Sequence, residues 1–164
     1  MNLKSLPFPI FGDVLMRGRC PNESAEQVTF FNWIRREHPE TWGKLALHPR
    51  NEQLLKGGQF RGVVRHKAEG MTNGAADIII PARVSFVCEL KRQDHTKSKW
   101  QDGQIDYLIA AQDAGAFACV ALGAEAAVEA FHAWLRQSVN VTAARSARNV
   151  VSRTTNCTTK ENDT

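Results

Sequence analysis

The chain has 164 residues, 43% of them hydrophobic, enough for one core of ordinary size and hardly for two. Its 21 Lys and Arg against 17 Asp and Glu give a formal charge of +4, which suits a polyanionic partner without identifying one. No run approaches the roughly 20 apolar residues of a membrane-spanning helix, and the N-terminus has no apolar stretch of secretory length. Cys20, Cys88, Cys119 and Cys157 form no C-x-x-C pair, so a disulfide scaffold and a zinc knuckle are both unexpected and a cytoplasmic protein is the expectation.

In chain order, residues 1–23 read as an N-terminal extension. Ser24-Ala-Glu-Gln27 is a capping box that predicts a helix running through Phe30, Phe31, Trp33 and Ile34 and ending near His38, before Pro39. Leu45-Ala-Leu47 predicts a short strand, and the glycine-interrupted stretch 50–74 gives no clear period. Ala76–Ile80 and Val84–Leu90, separated by Pro81-Ala-Arg83, predict an antiparallel hairpin. Ser98-Lys-Trp-Gln101 is a second capping box, predicting a helix to about Asp113. Phe117–Leu122 predicts a buried strand, and Glu125–Leu135 a final helix. After Gln137, 13 of the last 27 residues are Ser, Thr or Asn and none is aromatic, which predicts a disordered basic tail over 138–164. One mixed α/β domain over 24–137 is expected.

The hairpin carries the chemistry. Alternation along Val84–Lys91 sends Ser85, Val87, Glu89 and Lys91 to one face. In a hairpin centred on Arg83 the numbers of paired residues sum to 166, so Asp77 faces Glu89 with Cβ atoms roughly 4.5–5.5 Å apart. Two facing carboxylates are costly unless a cation relieves them. Their hard oxygens suit Mg²⁺, with Mn²⁺ able to substitute, and such an ion leaves positions for water and phosphate oxygens. Lys91 beside them could orient the attacking water and offset phosphate charge. On the first helix, Glu26 shares a face with Phe30 and Trp33 and so points toward the apolar side; its rival Glu23 precedes the expected cap and should lie outside the helix. Of the two amides Gln101 and Gln104, the first reads as part of the cap.

Asp77 followed by Glu89-Leu-Lys91 after a hydrophobic hairpin resembles the PD-(D/E)xK nuclease signature, and the ordered set from Ser24 to Leu135, including EGMTNGAAD, resembles the VRR-NUC group of that superfamily. The resemblance implies a restriction-endonuclease-like core, a mixed central sheet flanked by helices. It implies Asp77 and Glu89 as metal ligands, Lys91 as a catalytic residue, Gln104 as the matching family glutamine, and Glu26 as the acidic residue of the first helix that helps bind metal or water. Ala76 stands where the family commonly has Pro, a departure in backbone shape rather than in chemistry. Stand-alone members of the group are similar to junction resolvases, act as homodimers and occur in phages and bacteria. The implied activity is therefore a metal-dependent DNA endonuclease acting on junctions or branched DNA in replication, recombination or repair. The rival readings are a non-catalytic nucleic-acid-binding module and a restriction-type or RNA-directed nuclease.

Two basic groups flank these residues: Arg61, Arg65 and Lys67, and then Arg92, Lys97 and Lys99, all candidate phosphate contacts. No histidine pair has metal-binding spacing, so none is assigned to the site. No P-loop is present, which excludes an NTP-driven motor in these residues.

Overall fold

The hydrophobic run FVCELK forms β3 (Phe86–Lys91), every residue of which is buried. The computed structural model describes residues 3–49, 72 and 74–138, so the expectations for the stretch 50–71 and for the tail beyond 138, Arg61, Arg65 and Lys67 among them, lie outside the described residues. β3 pairs antiparallel with β2 (Ile78–Ile80) and parallel with β4 (Phe117–Leu122). The pairs Ile78 with Cys88, Ile79 with Val87 and Ile80 with Phe86 have the register expected from a hairpin centred on Arg83. A two-residue strand, β1 (Ile10–Phe11), joins the other edge of β4 in parallel, giving a mixed four-stranded sheet in the order β1-β4-β3-β2. The segment read as an extension is thus part of the sheet, and its Leu3 and Phe8 are buried in the core.

Helices flank this sheet. α1 (Glu23–Glu37) buries Phe30, Phe31 and Ile34, and α3 (Gln104–Asp113) connects β3 to β4 and buries Leu108. A further helix, α4, covers residues 124–138. Residues alternate across β3. Val87 packs with Leu108, Val120 and Leu122, whereas the Phe86 ring meets Phe131 of α4 edge-on, centroids 6.2 Å apart. Fully burying each such large apolar side chain contributes about 1.5–3 kcal/mol. The chain divides into two compact units, Met1–Phe131 and His132–Thr164; of the second, the structure describes only the last turns of α4.

Three local expectations are corrected. α1 begins two positions earlier than the Ser24 box predicts, because Asn22 is the cap: its Oδ1 accepts from the Ala25 amide at 2.8 Å. Leu45-Ala-Leu47 is not a strand; a one-turn helix, α2 (Trp42–Leu45), precedes a single bridge from Leu47 to Ile79. The Ser98 box does not open a helix either, since Ser98 Oγ accepts from the Arg92 amide at 3.0 Å and α3 starts only after Gly103, whose φ is +87°.

Gly74 sets the spacing between the lead-in to β2 and the start of α3. Its φ is +72°, and a Cβ placed on it would lie 2.2 Å from the Gly103 carbonyl carbon and 2.4 Å from the Gln104 nitrogen. Gly74→Ala is expected to lose about 1–2 kcal/mol to the left-handed backbone alone, and more to the forced separation of the two segments. A denaturation midpoint equal to wild type would contradict this.

Candidate active site

Asp77 lies one residue before β2, where continuing the hairpin register sets it across from Glu89. Its Oδ2 accepts from the Leu90 amide at 3.0 Å. Its carbonyl oxygen lies 2.8 Å from His48 Nδ1, which is itself 2.7 Å from Gln27 Nε2, and the Gln27 amide donates to the same carbonyl at 3.3 Å. Burial raises the Asp77 carboxyl above its ordinary range, opposed by the Leu90 amide and the Lys91 charge.

Glu89 is fully buried. Its Oε1 accepts from Lys91 Nζ at 2.8 Å and from Gln104 Nε2 at 2.5 Å, while its Oε2 is buried with no hydrogen-bond partner. Burial and the facing Asp77 push its carboxyl up to about 8 against the pull of Lys91. The Lys91 ammonium, 2% exposed, directs its three N–H groups onto Glu89 Oε1, Gln104 Oε1 at 3.0 Å and the Lys99 carbonyl at 3.1 Å. The Trp100 ring lies 4.8 Å from Nζ, a cation–π contact that compensates part of the lost hydration. Gln104, the first residue of α3, ties the cluster together: its amide donates to Glu89, and its oxygen accepts from Lys91 and, at 2.8 Å, from the Gln101 amide.

These groups line one cleft of about 650 Å³, together with Asn22, Glu23, Gln27 and His48. Asp77, Glu89, Lys91 and Gln104 are thus brought together. Glu26 is not. It is buried away from the cleft lining, and its Oε2 accepts from the Ala124 amide at 2.8 Å, the first residue of α4. A carboxylate there completes a helix N-terminus and complements its dipole; its other oxygen, Oε1, is buried without a partner, and the structure does not bring it to the cleft that Asp77 and Glu89 line. With Asn22 as the cap, Glu23 becomes the first helical residue and is the acid that lines the cleft; its Oε1 is buried without a partner, and its charge helps to raise both Asp77 and Glu89.

Sequence reasoning missed Glu23 and His48. Asn22 was the available signal for the first, since Asn caps as well as Ser; nothing in the spacing of His48 would have singled it out. Of the basic residues, Arg92 donates to the Cys20 carbonyl at 3.0 Å and Lys97, itself exposed, to the Gly18 carbonyl, so both hold the N-terminal segment in place. Lys99 is exposed. Among the described residues, no three His, Cys, Asp or Glu side chains form a cage for an ion by themselves.

A solved structure described as a VRR_NUC domain protein is similar to this chain, with a TM-score of 0.57 at 17% identity, over 74% of this chain and 92% of its own. No family model and no curated protein matches the sequence.

Proposed function

We propose, from the premise that this chain has the fold of a VRR-NUC domain protein, that it is a divalent-cation-dependent endonuclease hydrolysing phosphodiesters in DNA. The observation that supports this most is the fully buried Glu89, one oxygen held by Lys91 and Gln104 and the other without a partner, in a cleft shared with Asp77.

Hard carboxylate oxygens, one of them buried and unpaired, fit Mg²⁺ or Mn²⁺. Asp77 and Glu89 would hold the ion. Two carboxylates without a third are enough for a cation that keeps several waters and takes phosphate oxygens. Bound there, it would supply charge to stabilise the negative phosphoryl oxygens that develop as water attacks.

The chain's own groups do the rest. Gln104 and the Lys99 carbonyl fix the Lys91 ammonium, which holds Glu89 Oε1 and leaves Oε2 as the open oxygen. The same ammonium offsets phosphate charge from a site where water cannot screen it. Lys91 orients the attacking water by exchanging one of its three acceptors for it. His48 and Gln27 hold the Asp77 main chain so that its carboxylate stays across from Glu89. A purely binding module would gain nothing from carboxylates in a groove meant for phosphates.

The finer reading is structure selectivity for junctions or branched DNA, exercised by a homodimer whose two sites address two strands, in the cytoplasm of a bacterium or a phage-infected cell. The test is incubation with Mg²⁺ and linear, supercoiled, flapped and four-way-junction DNAs, alongside sedimentation of the protein. EDTA is expected to stop cleavage and Mn²⁺ to restore it; cleavage that persists in chelator would refute the metal assignment. Equal rates on linear and four-way DNA would refute the preference for branches.

A further inference from the structure

The segment before α1 is bolted to the loop after β3. The Gly18 amide donates to Asp94 Oδ2 at 3.0 Å, Lys97 Nζ donates to the Gly18 carbonyl, Arg92 donates to the Cys20 carbonyl at 3.0 Å, and His95 Nε2 lies 3.2 Å from the Val14 carbonyl. Asp94 is itself fixed, since its Oδ1 accepts from the Thr96 hydroxyl at 2.6 Å and the Thr96 amide at 3.2 Å. The Thr96 hydroxyl first and the Gly18 amide next hold its carboxyl well below the usual range. A surface extension without a task would not need a buried carboxylate and three side chains from another loop to hold its main chain.

The lock separates the basic residues by role. Arg92 and Lys97 hold the segment through its carbonyls. Arg19, between the two locked residues Gly18 and Cys20, is exposed, and so is Lys99; neither side chain makes an ion pair with a described residue. Arg19 precedes the cleft residue Asn22 by three positions and Lys99 precedes the cleft residue Gln101 by two. At no more than about 3.6 Å per residue, their Cα atoms lie within about 11 and 7 Å of the cleft wall. The Lys99 carbonyl also accepts from Lys91, so that residue's backbone is part of the catalytic cluster while its side chain points to solvent.

We propose that the locked segment 14–20 and the loop 92–99 form one lip of the cleft, on which Arg19 and Lys99 contact phosphates of the DNA strand on either side of the bond to be cut. This rests on the nuclease reading, and it adds Arg19 and the lip that carries it to the phosphate contact already expected of Lys99. Fixed cations at a lip position the duplex without reading its bases, so their contribution is sequence-independent and salt-sensitive.

The test is binding of a fluorescent DNA duplex in EDTA over a range of salt concentrations, with Arg19→Ala, Lys99→Ala and, as a control of the same charge, Arg36→Ala in the last turn of the 15-residue helix α1, whose first turn lines the cleft. Arg19→Ala and Lys99→Ala are each expected to weaken binding about three- to tenfold near 0.1 M salt and to lower the salt slope by about one; Arg36→Ala should change neither. Equal losses in all three would mark a net-charge effect and overturn the lip, as would wild-type slopes in the first two. The nuclease reading fails separately, by Lys91→Ala cleaving as well as wild type, an outcome on which these binding slopes do not depend.

Discussion

Lys91→Ala is expected to lower the rate of DNA cleavage by about a hundred- to a thousandfold, the scale on which a preorganised group that stabilises developing charge acts. The substitution removes the ammonium that holds Glu89 Oε1, the Gln104 oxygen and the Lys99 carbonyl in one place. Lys91→Arg should not rescue it. The pocket is closed, with 2% of Lys91 exposed, and three acceptors arranged around a tetrahedral nitrogen do not match a planar fork. Glu89→Ala should be equally inactive. Lys91→Ala still folds because Glu89 binds a proton readily in its buried setting, so loss of Lys91 strands no charge in the interior. Single-turnover cleavage, circular dichroism and DNA binding together check this. Retained cleavage in either purified variant would remove Lys91 and Glu89 from the chemistry.

The second large effect is on stability. Glu89 has a folded pKa of about 8 against an ordinary 4.5, so between those values the folded protein holds a proton that the unfolded chain has released. Folding is therefore favoured most, as far as this group is concerned, below pH 4.5, and the advantage is lost as pH rises to about 8. A difference of that size corresponds to a few kcal/mol. Asp94 acts with the opposite sign and in another range: its depressed pKa stabilises the fold above the ordinary carboxylate value, and the contribution fades only as pH falls through acid conditions. Glu89→Gln, which is neutral at every pH, should flatten the decline between pH 4.5 and 8 and raise the melting temperature at pH 8 in chelator. Millimolar Mg²⁺ should raise the wild-type melting temperature at pH 8 and leave the Gln variant nearly unmoved. A wild-type melting temperature constant from pH 5 to 8 in EDTA would contradict the burial argument.

The centre of the site was legible in the sequence because it sits on a regular hairpin. Alternation in VSFVCELK and a turn centred on Arg83 are enough to set Asp77 across from Glu89, and the three observed pairs of β2 and β3 follow that register. What was not legible depends on competition between local signals. Asn22 and Ser24 both cap well, and a shift of two positions at the helix start brings Glu23 into the helix, where it lines the cleft with Ser24, Gln27 and Val28. At Ser98 the hydroxyl was claimed by the Arg92 amide, a contact over six residues that capping rules do not anticipate. β1 spans two residues, too few for any period, and the carbonyls that bind Arg92 and Lys97 belong to a segment with no periodic pattern at all.

The place of Ile10 and Phe11 in the sheet has a practical corollary for expression. Without those two residues, the outer side of β4 would present unsatisfied main-chain donors and acceptors at Val120 and Ala121, both buried in the intact fold. Such a bare margin invites strand addition from a neighbouring chain. A shortened gene starting beyond Phe11 would thus yield material prone to self-association even with every cleft residue in place.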